Sequence, residues 1–141
     1  MSIACSMGIM AYNEEANIGR MLEAVVSQRL TNANLAEIVV VASGCTDRTE
    51  SVVNAWARRD PRIRLIVQAQ REGKASAVNQ FLPQAREKIV VVCSADLQPE
   101  AGAIEELVAP FATPGLSWGL PPTCSGNCIT RSICATSKPE R

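Results

Sequence analysis

The chain has 141 residues, 47% of them apolar and 20% charged, with fourteen basic residues against fourteen acidic ones. That is the composition of one soluble globular domain, and zero net charge gives no general attraction to nucleic acid or to an anionic membrane. Histidine is absent, which excludes the commonest general base, the serine-type triads and every histidine-containing metal site.

The N-terminal stretch "MSIACSMGIMAY" carries no basic leader and does not read as a signal peptide. Within it, Ile3 to Ala11 is a short apolar run that predicts a buried strand. Asn13 is then placed to cap a helix, with Glu14 and Glu15 in its positive first turn. Ile18, Met21, Leu22, Val25 and Val26 follow at the spacing of one apolar helix face. Ala36 to Ser43, "AEIVVVAS", is rich in β-branched residues without polar alternation, the pattern of a parallel strand covered on both faces. "GCTDRTE" turns the chain into a second helix with Val52, Val53, Trp56 and Ala57 inward. Arg62 to Gln68 alternates and predicts a third strand nearer an edge. Lys74 to Leu82 predicts a helix that ends near Pro83. Lys88 to Ser94 predicts the fourth strand, and Pro99 suits the first position of a helix bearing Ile104, Leu107, Val108 and Phe111.

Four strand–helix repeats predict an α/β fold: a mostly parallel four-stranded Rossmann-like sheet with helices on both faces, spanning residues 1–111. Residues 112–141 have no periodicity, four prolines and three of the six cysteines. They are expected to form an irregular tail, disordered or the product of a truncation or frame shift. Cys5, Cys45 and Cys93 sit in or beside apolar runs, as reduced buried thiols do. Cys124, Cys128 and Cys134 lack a fourth ligand for a zinc site, and the set points weakly to a reducing cytoplasm. No apolar run reaches the ~18 residues of a membrane span.

In parallel sheets, ligands sit outside the carboxyl ends of the strands. That rule selects four loops: Tyr12 to Glu15, Ser43 to Arg48, Ala69 to Lys74 and Ser94 to Gln98. Each has a plain structural explanation beside a functional one. "AYNEEANI" is a helix start, or it sets Tyr12 against a flat nucleobase. "VASGCTDRT" is a turn capped by Thr46 or Asp47, or a loop whose polar groups hold a base or ribose. "REGKASAVN" is a surface turn, or it aims Lys74 at a phosphate, with Gly73 allowing close backbone approach. Asp96 starts the next helix, or it is the single carboxylate of a magnesium-type site completed by phosphates and water. Neither a P-loop nor a G-x-G-x-x-G fingerprint is present, so a metal bridging the diphosphate is the natural grip for a nucleotide.

Taken together, "IMAYNEEANIGRML", "EIVVVASGCTDRT", "REGKASAVNQFL" and "IVVVCSADLQPEAGAIEELVAPF" resemble, in order and spacing, the nucleotide-binding half of the family 2 glycosyltransferases, which have the GT-A fold. The resemblance covers roughly Ile3 to Phe111. It implies transfer of a sugar from a nucleotide-diphosphate donor to an acceptor hydroxyl, generally with inversion, using a divalent metal, magnesium or manganese. By position it implies donor-nucleotide contacts at Tyr12 and Glu14, base and ribose contacts at Ser43 and Asp47, the family's lysine at Lys74, and the last acid of the Asp-x-Asp-type metal motif at Asp96.

The sequence departs from the family where Ala42 and Ser43 replace loop acids, which weakens any preference for uridine, and where Ser94 replaces the first acid of the metal motif. Past Glu106 the only acid is Glu140, so the acceptor's catalytic base is not identified and the chain alone is expected to have little or no transferase activity. The alternative is a non-catalytic nucleotide-binding or regulatory module on the same scaffold. A nucleotidyltransferase would show a glycine-rich basic loop after the first strand, which "MAYNEEANI" is not. The expected partner is a nucleotide-diphosphate sugar. An uncovered sheet edge predicts homo-oligomers or aggregation. The expected location is the cytoplasm, with the inner membrane face as an alternative.

Overall fold

The computed structural model describes residues 3–112 and 134–137. Its elements run β1 (Ile3–Ala11), α1 (Ile18–Val26), β2 (Ala33–Ser43), α2 (Thr49–Arg59), β3 (Ile63–Gln68), α3 (Lys74–Phe81), β4 (Ile89–Ser94), α4 (Ala103–Val108) and β5 (Cys134–Ser137), with 3-10 turns at Leu82–Gln84 and Ala109–Ala112. The sheet order is β3-β2-β1-β4-β5. The first four strands are parallel, as four strand–helix repeats predict, and β5 pairs antiparallel with β4.

The two sheet faces follow the period of two along each strand. Cys5, Met7, Ile9 and Ala11 of β1 point into a core shared with Ile18, Met21, Leu22 and Val25 of α1, Val53 of α2 and Ile104 and Val108 of α4. Met10, Val39, Val41, Val90 and Val92 point the other way, onto Ala77 and Phe81 of α3. Gly8 makes that second layer possible, because a Cβ there would lie 2.6 Å from the Phe81 ring. The Cys5 thiol, buried in β1, is free, and the Cys93 thiol, buried in β4, donates to the Gly8 carbonyl at 3.7 Å. Burial, reinforced by the nearby Glu87 charge, pushes the Cys5 thiol up to about 11.

Three expectations are corrected. Asn13 does not cap α1: the helix begins at Ile18 after Asn17, and Asn13 takes a positive φ of 49° while its side chain bonds across to Thr46. Pro99 does not open α4, which begins after Gly102 in the left-handed region, at φ 81°. The tail is not wholly irregular, because β5 covers the β4 edge that was expected to lie open. β3 lies at one edge of the sheet, and Val67 on it is 53% accessible. The remainder of the tail expectation falls on residues 113–133 and 138–141, outside the described residues. Among the described residues no helix is long and apolar enough to cross a membrane.

Candidate donor-binding site

From β1 the chain steps outward through β2 to β3, then returns across to β4 on the far side of β1. The order therefore reverses between β1 and β4, and the carboxyl ends of those strands splay their loops apart. A cleft of about 270 Å³ opens there, lined by Met10, Ala11, Tyr12, Glu14, Ser43, Arg71, Gly73, Lys74, Ser94, Ala95 and Asp96. This is where a doubly wound sheet binds ligands.

Five of the six residues singled out from sequence, Tyr12, Glu14, Ser43, Lys74 and Asp96, meet in this one cleft. Tyr12 is 39% exposed and carries the Arg71 guanidinium 4.0 Å above its ring centroid, a cation–π stack. Glu14 lies where β1 leaves the sheet: its backbone N–H donates to Thr49 Oγ at 2.9 Å, and its carboxylate accepts from the Asn17 amide at 2.8 Å. The Ser43 hydroxyl accepts a long hydrogen bond from the Glu72 backbone, 3.4 Å. Lys74 opens α3 and reaches over to β4, where its Nζ donates to Ser94 Oγ at 3.1 Å. Asp96 is exposed, and among the described residues no hydrogen bond or ion pair reaches its carboxylate.

Asp47 is the residue that does not join them. Its Oδ1 accepts from the Thr49 backbone N–H at 2.9 Å and the Thr49 hydroxyl at 2.5 Å, and its Oδ2 accepts from the Glu15 N–H at 3.2 Å. Partial burial pushes its pKa up, but these hydrogen bonds outweigh that and hold the carboxyl below its ordinary value. With Arg48 N–H returning to the Glu15 carboxylate at 3.1 Å and Asn13 clasping Thr46 at 2.8 Å, Asp47 stitches the β1 and β2 loops together. The geometry shows the turn: Asp47 bonds two residues on, to Thr49, while the N-cap position of α2 is Arg48 and carries no side-chain cap bond.

Two site residues were not singled out from sequence. Arg71 lay in plain view in "REGK", but nothing local indicates that its guanidinium folds back over Tyr12. Gly44 is the other. It has φ +59°, and a Cβ on it would fall on the Arg71 backbone nitrogen. Only glycine lets the β2 loop pass so close beneath the β3–α3 loop. That second loop is braced in turn by Gln68, whose amide donates to Glu72 and Ser76 at 3.1 Å each.

A divalent cation fits these residues in a limited way. The described residues contain no group of three side chains that could enclose one. Asp96, exposed and unengaged at the cleft, offers one hard oxygen donor, and magnesium-type ions complete such sites with phosphate oxygens and water. The residues therefore fit a cation held jointly with a diphosphate, not one held by protein alone.

The fold and cleft together define a GT-A-like glycosyltransferase domain. Residues 6–131 match glycosyl transferase family 2, and the chain belongs to that family. It is 33% identical over 102 residues to a dolichyl-phosphate beta-glucosyltransferase, ALG5C, of Trichomonas vaginalis, covering 69% of this chain and 30% of the relative. It is 32% identical over 106 residues to the probable glycosyltransferase YdaM of Bacillus subtilis, covering 73% and 25% respectively. Among solved structures, a mannosyltransferase from Pyrobaculum calidifontis in complex with GDP-Man and Mn2+ superposes with a TM-score of 0.71 at 32% identity, over 81% of this chain and 34% of that one. Glucosyl-3-phosphoglycerate synthase from Mycobacterium tuberculosis in complex with uridine diphosphate superposes at 0.66 and 28% identity, over 79% and 40%. The chain thus spans about a third or less of the length of the curated relatives named here.

Proposed function

We propose that the cleft binds the nucleotide diphosphate of a sugar donor, for inverting transfer of the sugar to an acceptor hydroxyl. The observation that carries this is the convergence of an aromatic face, a lysine and an unengaged carboxylate on one strand-end cleft: Tyr12, Lys74 and Asp96. The Tyr12 ring offers a flat surface for the base, and because the Arg71 guanidinium already covers one face, a base stacks there only by displacing the arginine, or takes the other face. Ser43 lies at the base and ribose end, where a hydroxyl discriminates among bases less than a carboxylate does. Glu14 shapes the nucleotide wall, and Asp47 acts through the loop it holds. Lys74 lies where it can meet the phosphates, and Asp96 would hold magnesium or manganese together with them. Such a cation, when bound, stabilises the charge that develops on the leaving diphosphate.

The cleft acids among the described residues, Glu14 and Asp96, both belong to this donor side. A base for the acceptor hydroxyl is not among them, so we expect the chain alone to show little or no sugar transfer. Calorimetric titration with UDP-glucose and GDP-mannose tests the donor reading. Saturable binding that competes with the free nucleoside diphosphate and is lost in Tyr12→Ala supports it; no binding of any nucleotide sugar sinks it. A second reading, a nucleotide-binding module without catalysis, draws on Ser43 and Ser94 standing where the family resemblance implies acids. Robust transfer to any acceptor by the purified chain would rule that out.

A further inference from the structure

Resting on that donor-site reading, we infer that Lys74, fixed by Ser94, is the principal counter-charge for the diphosphate in this chain, and that a divalent metal is dispensable for nucleotide binding. The geometry starts at position 94. A carboxylate at the end of β4 would stand in contact with the Lys74 ammonium and neutralise it. The residue there is a serine, and its hydroxyl accepts one hydrogen bond from Lys74 Nζ at 3.1 Å. That bond anchors the ammonium over the cleft without cancelling its charge. An ammonium has three donors, so two remain for phosphate oxygens.

A serine at position 94 also leaves the metal side weak. Only Asp96 remains as a protein ligand, with no three-residue cluster among the described residues, and a cation there shares the cleft with a lysine of like charge. Lys74 is also held from below. It follows Gly73, whose φ of 90° lets the loop turn straight into α3, and that loop is tied to β3 through Gln68 and Glu72. A positive group fixed by the scaffold loses little freedom when it meets its ligand. A cation recruited by one carboxylate must be collected from solution.

The test is calorimetric titration of UDP and of GDP into the full chain, in Mn2+ and in EDTA, with thermal melting to verify that each variant is folded. Wild-type affinity should differ by less than about threefold between the two conditions. Lys74→Met should weaken binding about tenfold or more in both, as expected for losing hydrogen bonds to a charged group. Ser94→Asp should weaken binding in EDTA, by pairing with Lys74, and regain it in Mn2+, so that metal dependence appears where the wild type has none. Binding that vanishes in EDTA for the wild type, or survives intact in Lys74→Met, overturns the inference and leaves the donor site standing. If neither diphosphate binds under any condition, the donor-site reading itself has failed and the inference goes with it.

Discussion

The two ends of this sheet each carry a strand-associated carboxylate, and they are built in opposite ways. At the carboxyl ends, Asp96 is exposed and unengaged among the described residues. Toward the amino ends, Glu37 of β2 is 1% accessible and fully engaged. Ser6 donates to it at 2.7 Å, Arg64 at 2.6 Å and the Arg86 backbone N–H at 2.5 Å, with the Arg86 guanidinium 3.8 Å away. Ser6 in turn accepts from the Glu87 N–H at 3.1 Å. Both acids lie beside cations, so charge alone does not separate a structural carboxylate from a functional one. Satisfaction does: a buried acid with every partner in place holds the fold together, whereas an acid left open at a strand-end cleft is available to a ligand.

The largest test removes Glu37. Glu37→Ala strips acceptors from Ser6, Arg64 and the Arg86 N–H at once. Because Arg64 is itself about a third exposed and can turn to water, the loss should be ~2–3 kcal/mol, below the usual figure for breaking a fully buried pair. Urea unfolding would read it, and a change under ~0.5 kcal/mol, the size of an ordinary surface substitution, would show the network to be ornamental. The acid limb gives the sign independently. Burial pushes the Glu37 carboxyl up, but its hydrogen bonds and the Arg64 charge outweigh that and hold it below its ordinary 4.5. Its contribution is therefore complete above that pH and is lost as pH falls beneath it. Glu37→Gln should reduce this part of the pH–stability curve, leaving the shares from Asp47, Asp60 and Glu105, which titrate in the same direction.

Gly44→Ala probes the open end through its backbone. Alanine must hold φ near +59° and push against Arg71, which should cost ~1–3 kcal/mol. It should also weaken nucleotide binding, because the displaced loop carries both Arg71 and Lys74. Loss of stability with unchanged affinity would mean that the loop moves without moving the cleft. Asp47→Ala is expected to cost ~1 kcal/mol, as loss of the hydrogen bonds that hold a turn does. Its effect on affinity should be smaller than that of Tyr12→Ala, since Asp47 holds the loop and does not line the cleft.

The open end was far more legible in the sequence than the closed one, and the reason is range. The four parallel strands follow from the strand–helix repeats, and strand ends in such a sheet select their own loops. Tyr12, Lys74 and Asp96 could therefore be expected at one strand-end cleft from position, whereas Ser43 came with the family resemblance. Asp47 could not be assigned in the same way. Whether it faces a ligand or Thr49 depends on two residues of local turn geometry, and the sequence is equally consistent with both. Glu37 gave no sign at all: "AEIVVVAS" reads as a strand with a charged start, and the arginine that covers it lies 27 residues away. Asn13 misled for a related reason. It has the chemistry of a cap, but Thr46, brought beside it by the pairing of β1 with β2, competes for the same side chain and wins. Arg71 and Tyr12 are likewise joined only by the fold.

The smallest expected effect sharpens the comparison most. Asp96→Asn keeps the size and shape of the side chain and removes only its charge. If Asp96 were a helix-starting acid, neutralising it would lower stability as the loss of a cap does. The structure gives it no such part: α4 starts seven residues later, at Ala103, after a left-handed glycine. Asp96→Asn should therefore leave the urea midpoint where it is, while abolishing the Mn2+ response of nucleotide binding that Ser94→Asp is expected to introduce. A destabilised Asp96→Asn would place Asp96 with Glu37, among the acids that hold the sheet together. An unaltered midpoint, together with loss in the Ser94→Asp/Asp96→Asn double variant of the Mn2+ response expected of Ser94→Asp alone, would identify it as an acid kept unpaired for a ligand.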